Sequence, residues 1–278
     1  MLDKEILDTV YNGLRSDDKD ILMGACKLAG EKVHEMDMGQ LRTIADALVG
    51  QFYLDVDKNL DYVEVIKCAS DALIKMGADT VSILIDGLTD TDLQADFQIA
   101  KTLGRIGAPA IAVLKDRFRH DSDPFNRGLA LLALSKIDDP GLMEIFDEVV
   151  SAMDHENPEL KAMAVAALGT MIECIGGKCL TPDTACYAFD RLMAKIPDSH
   201  ANTRANAVRA IGLLGKMGYL KDDRRSQAIR TFDSLLGADR KHQWDRAFIV
   251  RKNAEEAYKY LTGKKAESVA ADELCKLD

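Results

Sequence analysis

Residues Arg204–Gly215 read RANAVRAIGLLG. Ala207, Ala210 and Ile211 recur at helical spacing, and Gly212 and Gly215 close the run. With Ile211 as anchor, the same pattern returns at Ala29, Leu73, Leu103, Leu134, Leu168 and Tyr258, which makes seven copies. Four residues before each anchor stand Ala25, Ala69, Ile99, Ala130, Ala164, Ala207 and Ala254. Six alanines in seven places mean that each helix must let a neighbouring backbone come close, as a stack of helices requires. The spacing therefore predicts an all-α chain, a right-handed α-solenoid of about seven antiparallel helix pairs.

Working outward, each anchor helix is the second of a pair, and the first fills the interval before it. Anchor spacings of 44, 30, 31, 34, 43 and 47 divide the chain into repeats at residues 1–33, 34–77, 78–107, 108–138, 139–176, 177–215 and 216–263. Residues 264–278 form a charged tail. Because a repeat array has no single core to outgrow, residues 1–263 are read as one continuous domain. The glycines and proline of Gly176–Pro182, GGKCLTP, are read as a hinge. Composition agrees with a helical chain: 47% apolar, 6% aromatic and six prolines. No apolar run approaches the roughly 18 residues of a membrane helix, and MLDKEILDTV lacks the parts of a secretory signal. The six scattered cysteines suit reduced thiols. A cytoplasmic protein is the expectation, with no membrane partner.

Charge is unevenly spread. Residues 1–140 hold 25 acids and 16 bases, whereas residues 199–265 hold 15 bases and 7 acids. Seven residues before the anchor stand Arg127, Lys161, Arg204 and Arg251. Thirteen before it stand Asp90, Asp121, Asp198 and Asp245, with Asp154 one residue away. An aspartate that caps the second helix and meets the basic residue of its own or the adjacent repeat would form a structural ladder of charge-assisted bonds. Leu22, Ile66 and Asp96 stand in the basic place of the first three repeats. The order Asp, then a base, then AxxAL and often Gly resembles HEAT repeats, of the short kind found in phycobilisome-lyase-like proteins and within the wider armadillo-type superhelices. The resemblance implies a solenoid that binds other macromolecules.

Catalytic and metal chemistry find little support in the motifs. Asp55, Asp57, Asn59 and Asp61 mimic the alternating oxygens of a calcium loop. Leu60 and Ile66, however, occupy the places of its glycine and its bidentate glutamate. Cys174, Cys179 and Cys186 lie close in sequence without an evident fourth ligand, and no two histidines stand one helical turn apart. There is no nucleophile motif, phosphate-cradling glycine loop or dinucleotide fingerprint. No catalytic residue, metal or cofactor is therefore assigned. Trp244 and Phe248 are read as aromatic packing in a terminal cap.

The expected function is a non-catalytic scaffold, adaptor or assembly factor that binds a protein in the concave groove lined by the second helices. Positions two before and two after the anchor, flanked by the one five before, give Lys101, Arg105 and Arg209 as basic walls. They give Leu129, Leu132, Met163 and Ala166 as an apolar floor. Such a groove suits an acidic or amphipathic segment of another protein. An alternative is a nucleic-acid-binding solenoid that uses the basic C-terminal repeats. Against it stand the net charge of −10 and the single tryptophan. A bilin-lyase-like accessory role follows only from the resemblance, which reaches the repeat and no reactive site.

Overall fold

A computed structural model describes residues 2–88, 92–238 and 244–264. Asp90, Arg240, Lys241 and the tail 265–278 fall outside the described residues. The described chain forms fourteen α-helices, joined by turns and short 3-10 segments. Two compact units divide at Ile137 and Asp138.

In the first unit the helices are α1 (Lys4–Gly13), α2 (Lys19–Glu31), α3 (Met38–Gly50), α4 (Tyr62–Met76), α5 (Val81–Asp86), α6 (Leu93–Ile106), α7 (Ile111–His120) and α8 (Pro124–Ser135). The second unit holds α9 (Phe146–Ala152), α10 (Pro158–Cys179), α11 (Pro182–Met193), α12 (Ala201–Lys216), α13 (Asp222–Leu236) and α14 (Phe248–Thr262). These are seven pairs, and every anchor lies on the second helix of its pair. Second helices stack on one another, α2 on α4 on α6 on α8 in the first unit and α10 on α12 on α14 in the second. Each unit thus has the build of an α-solenoid.

Local chemistry sets the helix ends. Asp18, Asp92, Asp123 and Asn157 accept backbone N–H bonds at the starts of α2, α6, α8 and α10, and Asp37 with Gln40 forms a capping box on α3. Pro124, Pro158 and Pro182 take the first helical position, where no N–H is needed. Gly77 and Gly107 end α4 and α6 at φ 68° and 82°, a conformation open to glycine. One expectation fails here. Gly176 and Gly177 do not form a hinge, because α10 runs through both to Cys179 and closes with Leu180 N–H on the Gly176 carbonyl at 3.0 Å. Glycine raises the cost of a helix without forbidding it, and Gly176 lies beside Met217, where a Cβ would come within 3.3 Å of Sδ.

The core runs along the second helices. All seven residues four before the anchor are buried, none more than 6% exposed, and six of the anchors themselves are fully buried; Tyr258 is half-buried. At Gly212 a Cβ would sit 2.6 Å from the Ala257 Cβ, so α12 and α14 touch backbone to backbone there. Contrary to the reading that no run reaches membrane length, the 22 residues of α10 are long and apolar enough, by length and composition, to cross a membrane; 56% of the apolar window is buried in the fold, where α9 and α12 pack against it.

Candidate functional site

The charge ladder is best formed in the second unit. Lys161 Nζ lies 2.7 Å from Asp198 Oδ2, and both side chains are largely buried. Arg204 repeats the arrangement one pair later, donating from Nε to Asp245 Oδ2 at 2.6 Å and from a terminal nitrogen to Oδ1 at 2.9 Å. The base of one repeat thus grips the aspartate of the next. These aspartates do not cap the second helix. Asp121, Asp198 and Asp245 instead accept the N–H two residues on, from Asp123, His200 and Ala247, at 2.8–2.9 Å, which tightens the turn between the helices. The bases also bind turn carbonyls: Arg127 that of Phe118, Arg204 those of Asp198 and Ser199, Arg251 that of Asp245.

Two ladder residues meet partners other than those expected. Asp121 pairs with Arg117 of α7 at 3.2 Å, and Asp154 takes Arg191 of α11 and Lys195 of the turn that follows it. In both cases the base comes from the end of a first helix or the turn just after it. Where Leu22 leaves the first repeat without its ladder base, Lys19 substitutes from one turn earlier, lying 3.1 Å from Asp61 and 2.8 Å from Glu64. Burial pushes Asp198 and Asp245 up, but the bonds from Lys161 and Arg204 and from the turn N–H groups outweigh it and hold both below the usual carboxylate value. Asp154 is lowered chiefly by the Lys195 bond.

The residues of the expected groove separate into three kinds. Lys101 and Arg105 are exposed on α6, and Arg105 donates to Asp71 of α4 at 2.7 Å. Leu132, Met163 and Ala166 are half-buried. Leu129 is 0% exposed and belongs to the core, so it offers no surface to a partner. Arg209 lies along α10, 3.3 Å from Glu173 and from the Thr170 hydroxyl, and so is half-buried in a stacking contact.

What the spacing did not single out is a stripe at intervals of four on the second helices of the first unit. On α6 it reads Leu93, Phe97, Lys101 and Arg105, all exposed. The equivalent places are Val63, Lys67, Asp71 and Lys75 on α4, and Lys19, Met23, Lys27 and Glu31 on α2. Residues four apart lie on one face, so each set is a single line of side chains. Lys27, Lys67, Lys75 and Lys101 carry no ion pair among the described residues. Between α2 and α4 opens a recess of about 420 Å³, lined by Cys26, Cys68 and Ala72 together with Lys27, Lys75 and the paired Asp71 and Arg105.

The remaining motifs lie elsewhere. Asp55 is turned onto Asp57 N–H, Lys58 N–H and the Lys58 ammonium, and Asn59 takes Asp61 N–H, so these two side chains serve their own turn, while Asp61 meets Lys19 of α2. Among the described residues no three His, Cys, Asp or Glu side chains are grouped to hold a metal ion. Cys174, Cys179 and Cys186 are half-buried, and no described cysteine is in a disulfide. Trp244 packs over Gly237, but Phe248 is 70% exposed rather than packed in the cap. Several bases of the C-terminal repeats are spent on the fold: Arg204 and Arg251 in turns, Arg224 on Asp190, Arg225 on the Leu261 carbonyl.

No curated protein matches this sequence. Among solved structures, the chain is similar to that of a Kap121p triple mutant, with 11% identity and a TM-score of 0.41; it aligns over 100% of its own length and spans 43% of that chain. Residues 62–135 match the family model of HEAT repeats. That segment runs from α4 to the end of α8 and is built of HEAT repeats, and the same anchor, alanine and helix-pair pattern continues on both sides of it.

Proposed function

We propose that this protein is a cytoplasmic, non-catalytic scaffold, an adaptor or assembly factor that binds an acidic or amphipathic segment of another protein through its second helices. One observation carries the reading. On the line of α4 and α6 side chains, exposed apolar residues lie beside lysines that carry no ion pair among the described residues. Isolated helix faces of a stable stack are ordinarily polar, and a mixed apolar and single-sign face is what partner recognition uses. The ladder, by contrast, turns its charges inward and has a structural role.

The test is reconstitution. A partner recovered with the tagged chain from native cytosol is purified separately, and the two are recombined. A complex of fixed stoichiometry that weakens as salt rises is the expected result. Failure to re-form a complex from purified components overturns the reading. So does duplex DNA binding at physiological salt that is tighter than binding to the protein.

A further inference from the structure

Resting on that reading, we infer that the docking site is the face of α2, α4 and α6, and that its occupant is an amphipathic helix with acidic residues along one flank. The occupant lies across these three helices, its apolar side on the N-terminal halves of α4 and α6 and its acidic flank toward the C-terminal ends of all three.

The face is graded along the helices. At its N-terminal edge stand Val63, Leu93 and Phe97, exposed by 52%, 55% and 47%. Val63 and Leu93 sit at equivalent places on two adjacent helices, and Phe97 stands one turn further along α6. Toward the C-terminal edge stand Lys27, Lys75, Lys101 and Arg105, and Lys67 lies level with Phe97. Across the stripes of the three helices there are six bases and two acids; Lys19 is paired with Asp61 and Glu64 and Arg105 with Asp71, which leaves Lys27, Lys67, Lys75 and Lys101 against Glu31 in a half of the chain that is otherwise strongly acidic. The sign of this patch is therefore opposite to its surroundings. Charge complementarity selects an acidic occupant.

Dimensions select a helix. From Leu93 to Phe97 is about 6 Å along α6 and from Leu93 to Arg105 about 18 Å, at 1.5 Å per residue. A helix with side chains is about 10 Å across, so one lying crosswise covers the apolar edge and brings its flank over the lysines. Neighbouring second helices stand about 8–10 Å apart, so two turns of the occupant pass from α4 to α6. The recess between α2 and α4 then accepts one anchoring side chain, with Cys26, Cys68 and Ala72 lining it and Lys27 and Lys75 beside it to meet a neighbouring carboxylate.

A fluorescein-labelled synthetic helix with leucines on one side and glutamates along one flank is the probe. Its twin has lysines in place of the glutamates. The full-length protein should bind the glutamate probe saturably, the lysine twin at least about tenfold more weakly, and the glutamate probe less tightly as salt rises. Leu93→Ser with Phe97→Ser, and separately Lys67→Glu with Lys101→Glu, should each weaken binding about tenfold or more, while Lys252→Glu on α14 leaves it unchanged. All five positions are exposed, and far-ultraviolet circular dichroism checks that each variant keeps its helix content. Equal binding of both probes, no saturable binding, or binding untouched by both double variants overturns the inference. Self-association of the wild type abolished by Leu93→Ser with Phe97→Ser would assign the face to a second copy and also overturn it. A recovered cytosolic partner that still binds both double variants would refute this site and leave the scaffold reading standing; absence of any reconstituted complex would refute the scaffold itself.

Discussion

Arg204 and Asp245 meet fork to fork, two nitrogens on two oxygens at 2.6 and 2.9 Å, with the aspartate 41 residues further along the chain and its side chain 6% exposed. A planar guanidinium on a carboxylate gains both geometry and charge, and removing one partner leaves the other charge buried and alone. Replacing Arg204 by alanine should lower stability by about 2–3 kcal/mol. Arg204→Lys should recover only part of it, because an ammonium cannot make both bonds. Urea unfolding followed by circular dichroism checks this, and an unchanged midpoint for the alanine variant would count against the ladder.

The lowered carboxylates set an acid limit. Asp154, Asp198 and Asp245 all have folded values below the unfolded one. Groups of this sign contribute stability that is fully present above about pH 5 and is lost as pH falls through the ordinary value near 3.9 toward the lowered folded values. The melting temperature should therefore be level between about pH 5 and 7 and fall steeply below about pH 4. Asp245→Asn, which cannot ionise, should flatten the acid limb of that curve.

Glycines divide by what faces them. At Gly215 a Cβ would fall 2.3 Å from Leu261 Cδ2, and at Gly212 2.9 Å from the Ala257 Cα. Gly212→Ala should cost about 1–3 kcal/mol, since overpacking outweighs the gain in helix propensity. Gly24 lies inside α2 with nothing within 4 Å, so Gly24→Ala should stabilise by about 0.5–1 kcal/mol. Thermal melts of the two variants should move in opposite directions.

Cys26 is fully buried against α4, and its thiol is pushed up to about 12, first by burial and then by the neighbouring Cys68 sulfur. The thiolate is the reacting form, so alkylation by iodoacetamide at pH 8 should reach Cys26 last among the described cysteines in the folded protein. Peptide mass spectrometry at timed intervals reads the order. Labelling of Cys26 as fast as half-buried Cys179 would contradict the burial.

The repeat was legible because its signal is local: alanine four before the anchor, and glycine or proline at helix ends, are properties of single helices. The surface was less so. Stepping from two to five before an anchor turns the side chain about 60° toward the neighbouring helix, whereas stepping to six before turns it about 40° the other way. Leu129 took the first course and is core; Phe97 took the second and is exposed. Periodicity alone does not say on which side the next helix lies. Nor does spacing disclose that Asp154 is met by Arg191 and Lys195, because the end of α11 and the turn after it bring those bases from more than 35 residues away. The division at Ile137 and Asp138 is likewise a matter of packing that no residue marks.

Donor and acceptor in the ladder belong to successive repeats, Lys161 to Asp198 and Arg204 to Asp245. The joint is directional, like a hook and an eye. A gene segment encoding one such repeat carries one hook and one eye, so its duplication in tandem lengthens the array with every internal joint closed, and only the first and last members need a different ending. The lineage of such a chain can therefore change its reach one step at a time without redesigning the joint.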